Sequence, residues 1–223
     1  LGSYAIRAVL EEVLAAKAQV DECIMGCVLQ AGLGQNPARQ AGLKAGLPDS
    51  LNAQTINKVC GSGLQAVMLA AQSIKAGDNQ LVIAGGFENM SLAPHLEYIR
   101  AGVKYGDAKM IDHMAFDGLS CPFEGWAMGC AADHIATKFK VSRAEQDRFA
   151  AQSHQRAAKA WKECWFKSET LPLTPEQAMG KEGVAQDEGI RADSTADGLA
   201  KLRPAFGKDG SVTAGNASQI SDG

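Results

Sequence analysis

The sequence predicts an α/β fold in which helices cover a mostly parallel sheet. Strand-like and helix-like segments alternate regularly from residue 3 to residue 86. Residues 80–86 form a continuous apolar run of strand length, as expected for a strand that is covered on both faces. An apolar fraction of 46% and 24 glycines are typical of a globular protein, and 223 residues suffice for one large domain or two small ones.

The elements of this first part follow from apolar periodicity and turn residues. Apolar side chains at helical spacing predict an amphipathic helix over residues 3–18; they are Ile6, Val9, Leu10, Val13 and Leu14. The next elements are predicted as a strand over 22–29, a helix over 38–45, a strand over 53–59, a helix over 62–75 and a strand over 80–86. Pro37 suits the first turn of the second helix, and Gly77 ends the third.

Two helices are predicted in the second half of the chain. The first covers residues 126–139. Ser142 and Glu145 have the form of a capping box, which predicts the start of a helix that runs to about residue 163. We interpret the acidic and basic side chains four residues apart in this helix as a solvated face.

Other stretches of the second half show little periodicity. Residues 88–125 are rich in turn residues, and residues 168–210 are rich in Gly, Pro, Asp and Glu. Long irregular segments of this kind are usually functional or mobile. Residues 211–223 predict a strand that ends in a turn.

Cys60 lies at the junction between a predicted strand and a predicted helix. β-branched residues lead to it, Gly61 and Gly63 follow, and helical spacing resumes with Leu64. The free N–H groups and the positive dipole end of that helix favour a thiolate, the nucleophilic form of cysteine. Cys60 is therefore a candidate nucleophile, with a buried core cysteine as the alternative.

Glycine-rich patterns leave two further alternatives open. Residues 59–66 read V-x-G-x-G-x-x-A between a strand and a helix, and Glu88 ends the next strand, so the stretch also fits a dinucleotide-binding fingerprint. Gly32 and Gly34 suggest a phosphate loop, but no Gly-Lys-Ser/Thr ending follows them.

Charge and hydropathy argue against several classes of function. The net charge is −3 and the sequence has no cluster of Lys and Arg with interleaved aromatics, so we expect no nucleic-acid partner. No apolar run reaches the roughly 18 residues of a membrane span, and we expect no membrane partner. The chain begins at Leu1 without a methionine, which leaves targeting to an organelle open.

The cysteines predict reduced thiols rather than bridges or a metal site. Six cysteines are too sparse in a chain of this length for a disulfide framework. Cys23 and Cys27 would share one face of a strand about 13 Å apart, which is too far for a bridge or a shared metal. We therefore expect an intracellular protein without a metal site.

Several longer motifs follow one another along nearly the whole chain, at residues 30–40, 57–63, 84–86, 201–206 and 215–218. In this order they resemble the N-terminal half of a thiolase, as found in acetyl-CoA acetyltransferases and 3-ketoacyl-CoA thiolases. The resemblance implies a thiolase-like N-terminal core domain with an inserted α+β loop domain. Residues 1–87 and 211–223 would belong to the core domain, and residues 88–210 would form the loop domain that covers CoA.

The resemblance implies an acyltransferase in which Cys60 carries the acyl group. Its thiolate would attack a thioester carbonyl, so that one difficult transfer becomes two easier ones. The acyl group would then pass to the carbanion of a second acetyl-CoA or, after cleavage of a 3-ketoacyl chain, to CoA. The backbone N–H of Cys60 would contribute to an oxyanion hole. Coenzyme A and acetyl-CoA would be substrates, with no permanently bound cofactor.

Eight further residues match positions at which thiolases contact CoA or the acyl chain: Leu119, Met128, Arg191, Ala205, Phe206, Ala214, Ala217 and Ser218. Arg191 would face the adenine end, Ser218 would bind the pantetheine, and Met128 would line the acyl pocket. Without the resemblance, Met128 and Phe206 would be interpreted as core residues and Arg191 as a solvated loop charge.

Some positions depart from the pattern of many acetoacetyl-forming thiolases: Ala127 replaces a histidine, Gly198 a serine and Gln219 a glycine. The acyl chain length therefore stays open, as does the direction of the reaction. Thiolases also use a histidine, an asparagine and a second cysteine from a C-terminal half. No histidine here matches those motifs, whether His95, His113, His134 or His154. We expect residues 1–223 to be part of a longer chain and to be inactive alone.

Two rival functions remain at this point. One is a non-catalytic CoA-binding or assembly module of the thiolase fold, and the other is a nicotinamide-dependent oxidoreductase that uses Gly61 and Gly63. The resemblance to thiolases further implies a homodimer or homotetramer, a role in fatty acid metabolism and a cytoplasmic location.

Overall fold

The computed structural model describes residues 1–13 and 17–223. They form two compact units, Leu1–Gly118 with Ser221–Gly223, and Leu119–Ile220. The domain boundaries expected near residues 88 and 210 stay a prediction. Leu14, one apolar position of the first predicted helix, lies outside the described residues.

The first unit contains a three-stranded parallel sheet, which confirms the α/β class. Its strands are β1 (Glu22–Gly26), β2 (Asn52–Ile56) and β3 (Val82–Gly86), in the order β2-β1-β3. Its long helices are α1 (Gly2–Glu12), α2 (Pro37–Lys44) and α3 (Ser62–Ala76). Because the strands are parallel, their carboxyl ends lie at one edge of the sheet, and the segments that carry Cys60 and Glu88 follow two of these ends.

Helices cover both faces of this sheet. Cys23 and Met25 of β1 point to a core that they share with apolar residues of α1 and α2. Ile24, between them, points to the opposite face and packs against Ala66 and Ala70 of α3. This alternation is the period of two expected of a strand that is buried on both sides.

The predicted elements of this unit are confirmed, with shorter bounds for several of them. β1 ends at Gly26 rather than at residue 29, because the N–H groups of Val28 and Leu29 donate to the Glu88 side chain instead of a neighbouring strand. Gly77 ends α3 in the left-handed conformation, with φ +87°, as its position predicts. A short antiparallel pair follows, β4 (His95–Leu96) with β5 (Ile111–Asp112), and then a π-helical turn over Met114–Gly118.

The second unit is mainly helical. Its helices are α4 (Met128–Lys138), α5 (Arg143–Lys162), α6 (Pro175–Ala178) and α7 (Ala196–Leu199). The predicted capping box is present, since Ser142 and Glu145 satisfy each other's backbone N–H groups at the start of α5. Along residues 1–13 and 17–223, no helix combines the length and the hydropathy that a membrane span requires.

The strand predicted over residues 211–223 is wrong. The N–H groups of Ser211 and Val212 donate to the Asp133 carboxylate, at 2.7 and 2.9 Å. The N–H of Thr213 donates to the side chain of Asn216 at 2.7 Å. Side chains therefore bind the donors that a strand would offer to a neighbour, and the segment forms a turn.

Candidate active site

Cys60 lies on a short turn between the end of β2 and the first residue of α3. Its side chain is exposed, so the alternative of a buried core cysteine is wrong. Cys23 and Cys27, in contrast, are buried beside the sheet. The strand-turn-helix junction thus presents one thiol to solvent, at the carboxyl end of the parallel strands where ligands of α/β proteins usually bind.

The turn before Cys60 has a strained backbone that side chains hold in place. Val59 adopts a φ of +50°, which is a true outlier for a β-branched residue and costs about 1–3 kcal/mol. Its N–H donates to Asn57 Oδ1 at 2.9 Å. The buried hydroxyl of Ser62 accepts from Lys58 N–H at 2.8 Å and donates to the Val59 carbonyl at 2.6 Å. Strain that is compensated in this way is typical of functional turns.

The start of α3 packs directly on the ends of the strands. A Cβ atom on Gly26 would lie 2.5 Å from the carbonyl carbon of Ser62 and 2.6 Å from the nitrogen of Gly63. On the next strand, a Cβ on Gly86 would lie 3.3 Å from the Gly63 Cα. Glycine is therefore needed at Gly26 for close packing of helix on sheet.

Glu88 is bound to the backbone that follows β1. Its carboxylate accepts from Val28 N–H at 2.8 Å and from Leu29 N–H at 3.1 Å, and the Cys27 thiol lies 3.5 Å from Oε1. A carboxylate that already accepts hydrogen bonds from its own backbone is not available to the hydroxyl groups of a ribose. This contradicts the dinucleotide-binding alternative, which needs Glu88 free.

Burial and Glu88 together make Cys27 unreactive. Removal from water disfavours the thiolate, and the neighbouring carboxylate adds negative charge, so the pKa of the Cys27 thiol rises to about 12. Burial likewise raises the pKa of Cys23 to about 11. Neither thiol serves as a nucleophile near neutral pH.

The glycine-rich turn after β1 is shaped by side chains. The amide of Gln40 donates to the carbonyls of Leu33 and Gln35, each at 2.8 Å. The N–H of Ala31, which a phosphate loop would point at its ligand, donates to Nε2 of His113 at 3.4 Å. The structure thus gives this turn a different explanation from the phosphate loop.

His113 is buried, and sequence reasoning did not single it out. Besides the contact with Ala31, its Nδ1 lies 2.5 Å from Oδ2 of Asp117. Both ring nitrogens therefore have a partner. No sequence motif marks the contact between His113 and Ala31, because the two residues lie 82 positions apart.

The second unit brings several predicted CoA-contact residues together at the start of α4. Met128 is the first residue of the helix, and its N–H donates to the carbonyl of Leu119 at 2.8 Å. The ring of Phe206 lies against Gly129, the next residue of α4. Met128 and Phe206 stay 42% and 46% exposed, so the alternative of core residues is wrong for both.

The other small predicted residues lie on the adjoining turn. Ala205 N–H donates to the Val212 carbonyl at 2.8 Å, which joins the segment with Phe206 to the turn that follows. Ala217 N–H closes this turn on the Thr213 carbonyl at 3.0 Å, with Ala214 inside it and the exposed Ser218 after it. The unit therefore presents these residues on two connected segments.

Arg191 is not brought to this group by any contact in the structure. Its guanidinium donates to the carbonyls of Glu188 and Ile190, at 2.8 and 3.3 Å, and its N–H donates to His154 of α5 at 3.2 Å. The side chain is exposed on its own loop. The interpretation as a solvated loop charge therefore fits Arg191 as well as a role at the adenine end.

One ion pair of α5 contradicts the predicted solvated face. Arg143 and Asp147, four residues apart, form a 2.7 Å pair in which Asp147 is 1% exposed. Asp147 also contacts Asn216 at 2.9 Å. The pair Lys159 and Glu163, in contrast, is exposed as predicted.

Comparison with known proteins is consistent with this arrangement. The model of the thiolase N-terminal domain family matches residues 1–223. The acetyl-CoA acetyltransferase of Rhizobium meliloti (strain 1021) is 51% identical over 223 residues, which is all of this chain and 57% of the relative. The acetyl-CoA acetyltransferase of Shinella zoogloeoides is 50% identical, with the same coverage. A probable acetyl-CoA acetyltransferase of Mycolicibacterium smegmatis is 52% identical over 225 residues, 58% of its length.

The chain thus spans a little over half the length of the curated relatives it matches. The family match, in turn, covers every residue of the chain, including the Cys60 turn and the helical second unit. Because the model of the thiolase N-terminal domain matches the whole chain, the chain belongs to the thiolase family and corresponds to the N-terminal domain of that family.

Proposed function

We propose that the complete protein is an acyl-CoA C-acyltransferase of the acetyl-CoA acetyltransferase or 3-ketoacyl-CoA thiolase type, with Cys60 as its nucleophile. One observation carries this proposal: Cys60 is exposed at the start of α3, on a turn strained at Val59 and held by Ser62. The relatives named acetyl-CoA acetyltransferase support acyl-CoA thioesters as the class of substrate.

The proposed reaction begins with the thiolate of Cys60. Its sulfur attacks the thioester carbonyl, a bond forms between Sγ and the acyl carbon, the bond from that carbon to the sulfur of CoA breaks, and CoA leaves as a thiolate that takes up a proton. Cys60 lies just before the N-terminus of α3, which is the positive end of the helix dipole. The N–H of Cys60 would donate to the oxygen that becomes negative during the attack.

The second unit would bind the CoA portion. Met128 and Phe206 supply exposed apolar surface at the start of α4, which suits an acyl or pantetheine chain. Ser218 has an exposed hydroxyl whose contact in the structure is a long one, 3.5 Å to the Gln219 carbonyl, so it can bind the pantetheine amides. Arg191 would face the adenine end with its positive charge.

The general base and the second proton-transfer group would come from outside the residues described. His113 does not supply the base, because both of its ring nitrogens are engaged by Asp117 and Ala31. A histidine and a second cysteine of the complete protein would fill these roles, since the relatives are longer than this chain. We further propose a homo-oligomer without a permanently bound cofactor, located in the cytoplasm.

One observation favours a second function, a non-catalytic CoA-binding or assembly module. The proposed CoA contacts other than Arg191 lie on connected segments of the second unit, to which Cys60 does not belong. Such a module would bind CoA without forming an acyl-enzyme. The two functions therefore differ in whether Cys60 becomes acylated.

Mass spectrometry of the complete protein after mixing with acetyl-CoA tests the proposal. We expect one acetyl group on the peptide that contains Cys60, and none in Cys60→Ser. Cys164→Ser is the matched control, because Cys164 is also exposed but lies after α5, and it should keep the label. CoA binding without any label on Cys60 would support the non-catalytic module and contradict the acyltransferase.

A further inference from the structure

Asp147 is a carboxylate almost completely removed from solvent, and both of its oxygens are in use. Its exposed fraction is 1%. Oδ2 accepts from Arg143 Nε at 2.7 Å, and Oδ1 accepts from Asn216 Nδ2 at 2.9 Å. Burying a carboxylate costs several kcal/mol unless it is paired and hydrogen-bonded, so these two partners determine whether Asp147 can stay where it is.

Asn216 connects Asp147 to the turn over residues 211–218. Its Nδ2 also donates to the Ser211 carbonyl at 3.1 Å, and its Oδ1 accepts from Thr213 N–H at 2.7 Å. Both ends of the amide are thus bound, which fixes the orientation of the side chain. The conformation of the turn therefore depends on Asn216, and Asn216 depends on Asp147.

Further contacts hold the same turn and its surroundings. Asp133 of α4 accepts from the N–H groups of Ser211 and Val212. Arg143 donates to the carbonyls of Leu199 and Leu202, at 2.8 and 3.0 Å, so the partner of Asp147 also anchors the segment at the end of α7. Two consecutive helices thus each contribute an aspartate that supports this one turn.

We propose that Asp147 and Asn216 form a positioning pair that holds residues 211–218 in the conformation that binds CoA. The inference rests on the proposed function, because Ala214, Ala217 and Ser218 of this turn are the proposed contacts with CoA. Small side chains reach a ligand only if the backbone itself lies close to it, so the shape of this turn decides the fit. The hydrogen bond between the buried Asp147 carboxylate and the Asn216 amide keeps that shape.

The test measures steady-state kinetics of the complete protein with acetyl-CoA. In Asp147→Asn, one amide hydrogen bond replaces a charge-assisted one, and an NH2 group faces Asn216 or Arg143. We expect the KM for acetyl-CoA to rise about tenfold, the effect of losing one hydrogen bond to a charged group, while kcat changes little. The rate at which iodoacetamide alkylates Cys60 should stay unchanged, since this reagent does not need the turn.

Two further variants and a control complete the test. Asn216→Ala leaves the Arg143 pair intact and should raise the KM in the same way. The double variant Asp147→Asn with Asn216→Ala should raise the KM by less than the product of the two single effects, because both changes remove the same contact. Glu163→Gln removes the carboxylate of an exposed ion pair on the same helix and should match the wild type.

The outcomes separate this inference from the proposed function. An unchanged KM in folded Asn216→Ala would overturn the positioning pair, and so would a fall in kcat and in alkylation rate without a change in KM. If Asp147→Asn does not fold, the KM of Asn216→Ala decides whether the pair positions the turn.

If wild type is not acylated at Cys60, the acyltransferase is refuted. Calorimetric titration with CoA then tests the pair by itself. Weaker CoA binding in the variants supports the positioning pair, whereas equal or absent binding overturns it.

Discussion

A Cβ atom placed on Gly26 would lie 2.6 Å from the Cβ of Ser62. The last residue of β1 and the first residue of α3 are therefore in direct contact. Because Cys60 lies two residues before Ser62, the contact between Gly26 and Ser62 also determines where the Cys60 turn lies relative to the ends of the strands.

Gly26→Ala should destabilise the protein more than the same substitution at a glycine without close neighbours. The added methyl group meets backbone atoms of Ser62 and Gly63, which cannot move without displacing α3, and overpacking of this kind costs about 3 kcal/mol. Gly77→Ala is the control: it has no neighbour within 4 Å and should cost about 1 kcal/mol for its left-handed backbone. Urea unfolding of both variants measures the difference, and equal losses would contradict the close contact.

Ser62→Ala should loosen the turn before Cys60. The change leaves Lys58 N–H without its acceptor and removes the hydroxyl that donates to the Val59 carbonyl, at a cost of about 1–3 kcal/mol. We expect slower alkylation of Cys60 by iodoacetamide together with a lower free energy of unfolding. Ser73→Ala, at the other end of α3, should leave the alkylation rate unaltered. The same rate in both variants would show that Ser62 does not orient the thiol.

The free energy of unfolding should fall as the pH rises above about 9. Burial and the Glu88 carboxylate raise the pKa of Cys27 from its ordinary value near 9 to about 12, so the folded state keeps a proton that the unfolded state has lost. The stabilisation is fully present below pH 9 and is lost towards pH 12, by at most about 1.4 kcal/mol per pH unit for this one group. Denaturant midpoints measured from pH 8 to pH 11 should fall less steeply in Cys27→Ala, but not in the exposed control Cys164→Ala. Parallel slopes in all three proteins would refute the shift.

Glu88→Gln should destabilise the first unit. An amide in place of the carboxylate offers one acceptor and one donor, so Val28 or Leu29 N–H meets a second donor, at a cost of about 2–3 kcal/mol. Loss of the negative charge also lowers the pKa of Cys27 relative to wild type, so the alkaline loss of stability should still begin near pH 9 but level off at a lower pH and be smaller. Glu97→Gln, at an exposed position, is the control. A wild-type midpoint in Glu88→Gln would contradict the role of the carboxylate.

The order of strands and helices in the first unit could be predicted because its signals are local. Apolar runs, Pro37 and Gly77 act over a few residues, and each has the predicted place in the structure. Local patterns could not predict which side of α3 faces the sheet. Leu64, at helical spacing with other apolar residues, is 69% exposed, while the small Ala66 and Ala70 face the sheet. The close packing at Gly26 admits small side chains on that side of the helix.

The buried carboxylates could not be predicted, because their partners are distant in the sequence. In the sequence, the pair of Arg143 and Asp147 cannot be told from an exposed ion pair four residues apart. The contact of Asp147 with Asn216, which lies 69 residues away, is visible only in the structure. Glu88 likewise fits a dinucleotide fingerprint until its contacts with Val28 and Leu29 are seen. Periodicity reports which side chains are apolar, but it does not report which polar side chains find each other.

The sulfur of Cys60 takes no part in holding its own turn. The Ser62 hydroxyl and the close packing at Gly26 hold it instead, through contacts that do not involve the side chain at position 60. The folding of the turn therefore does not depend on the reactive atom at position 60. A serine hydroxyl or a selenol at position 60 should therefore fit this turn as well as the thiol does, so exchange of this one atom should alter reactivity without altering the fold.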